Sequence, residues 1–120
     1  LVEQFDSAAG RIVSAMRAAG AEPDDLVSLV VYTTAIDEYR ASTPELGEAW
    51  RRHFGRRYPA MALIGVSALM EPDAKVELMG VAALVLFRIE GVWLQLGLST
   101  LAGAVVLLGM GLWLKPWRKA

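Results

Sequence analysis

The chain has 120 residues, a formal net charge of −1 and no cysteine. Disulfides, thiol nucleophiles and thiolate metal sites are therefore excluded, and a lone histidine argues against a catalytic zinc site. The net charge hides an asymmetry: residues 1–50 carry nine acids and three bases, residues 51–120 nine bases and four acids. Anionic partners are favoured on the second half, although so small an excess is not by itself a nucleic-acid signature. Apolar residues make up 55% of the chain, above the roughly 45–50% of ordinary globular domains, and they concentrate toward the C-terminus. The length suits one domain with an appendage. The chain opens on Leu1 rather than Met and enters a helical pattern without a secretory leader, as expected of an interior piece of a longer product.

Residues 2–19 read as an amphipathic helix, with Phe5, Ala8, Ala9, Ile12, Met16 and Ala19 at three- and four-residue spacing. Gly20 suits a left-handed C-terminal cap, and Gly10, costing about 1 kcal/mol relative to Ala inside a helix, marks a close packing contact. After an acidic loop at 21–25, the β-branched run Leu26–Ala35 (LVSLVVYTTA) reads as a strand covered on both faces. Residues 36–42 read as a polar connection. Thr43-Pro44-Glu45 predicts a helix start, with Thr43 as cap, Pro44 in the first turn and Glu45 complementing the dipole. Leu46, Ala49, Trp50, His53 and Phe54 form its apolar stripe, which Gly55 ends. In that stripe His53 is expected to be a packed or interface side chain rather than a general base.

Pro59 disfavours helix at Tyr58. From there, Ala60–Leu69 and Val76–Leu86 read as two apolar strands of a hairpin, joined by Glu71-Pro72-Asp73-Ala74-Lys75 and covered on both sides. With the preceding strand–helix–strand unit this gives a parallel pair with a helical crossover, in an α+β layer with helices on one sheet face. Residues 92–114 contain no charge. As a helix rising about 1.5 Å per residue they would span a hydrocarbon core of about 30 Å. Trp93 lies at one end, Trp113 and Trp117 at the other, and Lys115, Arg118 and Lys119 follow. This is the pattern of a single membrane span. The charge bias puts the C-terminus inside and the domain outside. Ser99 and Gly103 form a small-xxx-small pair, weak evidence for dimerisation.

The runs AAGAEPDDLVSLVVYTT, WRRHFGRRYPAMALIGVSAL and EPDAKVELMGVAAL resemble the Rid (YjgF-type) family. The resemblance covers about residues 3–86: a helix ending AAGA, an acidic turn, a V-x-Y-x-T strand, a helix closing on HFG, then YPA and a final KVE strand. It implies a chorismate-mutase-like α+β fold and homotrimers with ligand sites between subunits. The activity it implies is hydrolysis of enamine or imine intermediates of amino-acid metabolism to keto acids and ammonia. Some members are described as ribonucleases or translation inhibitors. The family is normally intracellular, against the orientation read from the charges. Its first two strands would precede Leu1, leaving one sheet edge open in this chain, an aggregation liability.

The resemblance also says which residues to examine. Imine-hydrolysing members carry an Arg after the Pro-Ala pair to hold the substrate carboxylate; here that position is Met61, and a thioether has no N–H donor to offer. Their final strand often reads V-E-I-E, with the second Glu near the attacking water. Here Glu77 keeps the first acid and Met79 replaces the second, and a thioether neither takes a proton nor orients water well. Glu77 is therefore the one remaining catalytic candidate, although a solvent-facing or interface salt bridge is its plainer role. Met61, Met79, Tyr32 and Thr34 are candidate ligand-binding residues. Arg51, Arg52, Arg56 and Arg57, with Arg40, form a candidate anion patch, although a solvated helix face and its end is their plainer reading. No phosphate loop, triad or metal signature is present, and no metal or other cofactor is implied.

The sequence thus reads as a Rid-like α+β domain over 1–88, truncated at its N-terminus, and a hydrophobic segment over 89–120 holding the membrane helix 92–114. The expected function is binding of a small, rather apolar metabolite between subunits of a membrane-attached trimer. The alternatives are an imine deaminase using non-standard residues and an RNA-binding or RNA-cleaving protein, nucleic acid being the least favoured partner.

Overall fold

The structure is a computed structural model and describes residues 1–83. Helix α1 spans Val2–Ala18 and buries Phe5, Ala9, Ile12, Val13 and Met16 on one face. Its end is a Schellman turn: Gly20 N–H donates to the Arg17 carbonyl and Ala21 N–H to that of Met16, each at 2.9 Å. Gly20 sits at φ 85°, where a Cβ would be strained. A 3-10 turn over Pro23–Asp25 follows, locked by Glu22 N–H donating to Asp25 Oδ2 at 2.8 Å. It launches β1 (Leu26–Thr33).

Two short expectations fail beyond β1. The stretch read as a polar connection contains helix α2, Ile36–Ala41, too short to show an amphipathic period and without a buried residue. Helix α3 spans Thr43–Phe54, with Pro44 in its first turn and Gly55 just past its end, as expected. Thr43, however, does not cap it. Its hydroxyl donates back to the Arg40 carbonyl at 2.7 Å, satisfying the end of α2 instead.

The sheet holds the larger correction. Strand β2 is Ala60–Gly65 and β3 is Val76–Ala82, but they do not form a hairpin. The order is β2-β1-β3, with β2 parallel and β3 antiparallel to a central β1. The parallel pair is the one expected from the strand–helix–strand unit. Residues 66–75 separate the outer strands, and their ends at Gly65 and Val76 both flank Thr33. The chain therefore crosses the end of β1, covering two strand spacings of about 4.8 Å each. A loop that long is not a tight hairpin turn.

Helices α1 and α3 lie on one side of the sheet. Leu29 and Val31 of β1 and Val76, Leu78 and Ala82 of β3 are buried there, against Ile12 and Met16 of α1 and Leu46, Trp50 and Phe54 of α3. Each fully buried side chain of this size contributes roughly 1.5–3 kcal/mol. Gly80 lets β3 approach: a Cβ there would meet Leu26 Cδ1 at 3.2 Å and Leu29 Cδ1 at 3.4 Å. The expectation of cover on both faces is not met within the described residues, where Ser28, Val30 and Tyr32 are only partly buried and β2 is exposed along its length. No helix among the described residues is long and apolar enough to cross a membrane. The expected span 92–114 lies outside them.

Candidate functional site

Residues paired in register across a sheet point to the same face. Val30 is flanked by Ala62 and Met79, and Tyr32 by Ile64 and Glu77. These positions alternate with the buried Leu29, Val31 and Thr33, so they share the face turned away from the helices. It is an apolar surface of Val30, Ala62, Ile64, Met79 and Val81, with the Tyr32 ring and one carboxylate, Glu77. Three of the sequence candidates, Tyr32, Glu77 and Met79, thus come together.

Met61 and Thr34 do not join them. Met61 pairs with Leu29 and so lies on the helix side of the sheet, 43% exposed because β2 runs past the helical cover. Met61 and Met79 therefore occupy opposite faces within one chain. Thr34 follows the last residue of β1, and its hydroxyl donates to the Ala74 carbonyl at 3.2 Å, fixing the crossing loop. The same loop is held from α1: Gln4 donates to the Asp73 carbonyl at 2.9 Å and accepts from Lys75 N–H at 2.8 Å. Lys75 Nζ meets Glu38 at 2.7 Å, and that contact holds the Glu38 carboxyl below its ordinary range.

Three of the four arginines stand beside carboxylates. Arg51 pairs with Glu48 one helical turn away, Arg52 with Asp6 at 2.8 Å, and Arg57 faces Asp24 at 3.8 Å. Arg40 lies by Asp37 at 3.3 Å. Carboxylates beside these cations lower the positive potential that a phosphate would meet. His53 packs against α1. Its Nε2 lies 2.9 Å from Asp6 Oδ1, the oxygen that also takes Arg52, and its ring sits over Gly10, where a Cβ would be 3.2 Å from His53 Cε1. The Gly10 signal was visible in the sequence; the Asp6 partner, on the other helix, was not. Arg52 first, then His53, hold the Asp6 carboxyl below its ordinary value.

One feature escaped sequence reasoning altogether. Trp50, Phe54 and Tyr58 line a cleft with Pro23, Leu26 and Pro59. Its aromatic residues are spaced as a helix stripe and its end, which reads equally well as core. Among the described residues no group of three or more His, Asp or Glu is placed to hold a metal ion.

The family model described as Endoribonuclease L-PSP matches residues 1–84. Among solved structures, the chain is similar to a member of the YjgF/YER057c/UK114 family from Mycobacterium tuberculosis, at 34% identity and a TM-score of 0.51, covering 59% of this chain and 57% of that one. It is also similar to a protein of unknown function from Pseudomonas aeruginosa, at 32% identity and a TM-score of 0.52, covering 61% and 50%. A third similar structure is the Rid-family protein YyfB from Yersinia pestis, at 27% identity and a TM-score of 0.61, covering 70% and 62%. The aligned part thus spans only 50–62% of these three chains. No curated protein matches significantly. On the family match and these neighbours, the chain belongs to the YjgF/Rid family, the family described as Endoribonuclease L-PSP.

Proposed function

We propose that this domain binds a small, rather apolar metabolite in a pocket built on the open sheet face and completed by other copies of the chain, in a homotrimer. The carrying observation is the register that puts Tyr32, Met79 and Glu77 together on an apolar face that the other described residues bury only in part. A ligand there meets a ring, a thioether and one carboxylate. That favours burial of apolar surface over tight recognition of a carboxylate. Imine hydrolysis by the family's usual route lacks its groups, because Met61 stands where an Arg would hold the substrate and Met79 where a Glu would serve the water. Their placement on opposite faces supports a pocket that draws on more than one subunit.

The alternative, a deaminase working through Glu77, is decided by ammonia release from imines generated in place from amino acids. Binding without acceleration is expected. Turnover that is lost in Glu77→Ala would replace the binding reading with the enzymatic one. An RNA role through the arginines is the weaker reading, since Arg51, Arg52 and Arg57 each face an acid. We further propose that residues 92–114 attach the domain to a bilayer. The full chain should pellet with membranes and resist carbonate extraction, and a freely soluble full-length product would overturn this.

A further inference from the structure

The register that builds the open sheet face also fixes its charge. Three rows of side chains cross that face: Ser28 with Ala60 and Val81, Val30 with Ala62 and Met79, and Tyr32 with Ile64 and Glu77. Glu77 is the one acid among them, and none of them is a base. It is partly buried, and no hydrogen bond or ion pair joins it to another described residue. The base nearest to it along the chain is already engaged: Lys75 places its Nζ 2.7 Å from Glu38.

An unpaired carboxylate is among the costliest groups to take out of water, and closure of this face by other copies would do that to Glu77. A second copy that meets it with the same face brings another acid and no base. A ligand that carries a cation removes the cost. Tyr32 stands directly across from Glu77, and side chains in such pairs start from Cβ atoms only about 4.5–5.5 Å apart. One ammonium is thus within reach of the carboxylate, as a charge-assisted hydrogen bond, and of the ring face, as a cation–π contact. Val30, Ile64 and Met79 flank the pair and offer apolar, adaptable surface to the rest of the molecule.

We infer that the ligand of this face is a small amine without a carboxylate, an inference that rests on the pocket proposed above. Its ammonium lies between Glu77 and Tyr32, and its apolar body lies along Val30, Ile64 and Met79. A free acid or an amino acid is disfavoured, because its carboxylate would approach Glu77 with no base on the face to receive it.

The test follows the Met79 methyl resonance of the full chain, labelled with methyl-¹³C methionine in mild detergent at neutral pH and assigned by its loss in Met79→Leu. Isoamylamine, isoamyl alcohol and isovalerate share a branched apolar body and differ at the head. The amine should shift the signal saturably and bind about tenfold more tightly than the alcohol, with the acid weakest. Glu77→Gln keeps the size of the side chain and should bring the amine down to the level of the alcohol. Equal binding of amine and alcohol by the wild type, or an amine preference that survives Glu77→Gln, overturns the inference and leaves the apolar pocket standing. A Met79 methyl that none of the three moves at millimolar concentration overturns the pocket and the inference together.

Discussion

Thr33 ends β1 with none of its surface exposed, and its hydroxyl joins two segments. It donates to the Lys75 carbonyl at 2.7 Å and accepts from Ala35 N–H at 3.1 Å. Replacing the hydroxyl by a methyl keeps the shape but leaves the Ala35 N–H without its acceptor. Thr33→Val should therefore cost about 1–3 kcal/mol, seen as a lower urea midpoint at unchanged slope. A variant as stable as the wild type would contradict that bond's role. Asp6 behaves differently because it is partly exposed. Its folded-state pKa is depressed, first by Arg52 and then by His53, so its contribution is present above the ordinary carboxylate value and lost as pH falls through the folded value. Solvent screening keeps the contribution small, about 0–1 kcal/mol. Wild type and Asp6→Asn should differ by that much in neutral urea melts and converge as pH falls below the ordinary Asp value of about 3.9. A gap that widens with acid would contradict the assignment.

The elements differed in how much of them the sequence could reveal. Both long helices and the parallel β1–β2 pair were legible, because periodicity, Gly stops and the need for a helical crossover are local signals. Strand order was not. Ala60–Gly65 and Val76–Ala82 are apolar on either side of a polar stretch, and nothing local says that β1 lies between them. The deciding contacts are long-range: Gln4, Thr33 and Thr34 hold the crossing loop from α1 and from the end of β1. The candidate site was legible to the same degree. Tyr32 and Glu77 are 45 positions apart in the sequence yet cross-strand neighbours, whereas Met61 and Met79 look equivalent in sequence and fall on opposite faces. At this scale Gly80 decides how closely β3 approaches the helices. Gly80→Val would press on Leu26 and Leu29 and should destabilise by about 1–3 kcal/mol in thermal or urea unfolding. Unchanged stability would mean that the sheet yields there more readily than a packed core does.

Across the described domain, the sheet presents features that a lone copy bears poorly. Both β2 and β3 are edge strands among the described residues. Strand β2 reads AMALIG, without charge or proline, and exposes Met61, Leu63 and Ile64 by 40–43%. Such an edge templates unwanted pairing unless another chain or segment covers it, and the adjoining apolar face carries the same cost in water. The proposed trimer buries the face and forms the ligand pocket in the same step, so assembly and binding should rise and fall together. Sedimentation equilibrium of the full chain in density-matched detergent tests this most directly, with wild type set beside Ile64→Lys, whose new charge sits on the open face. The account predicts three chains per particle for the wild type and a shift toward one for the variant. A wild type that stays at one chain per particle, or a variant that still assembles in threes, would contradict it.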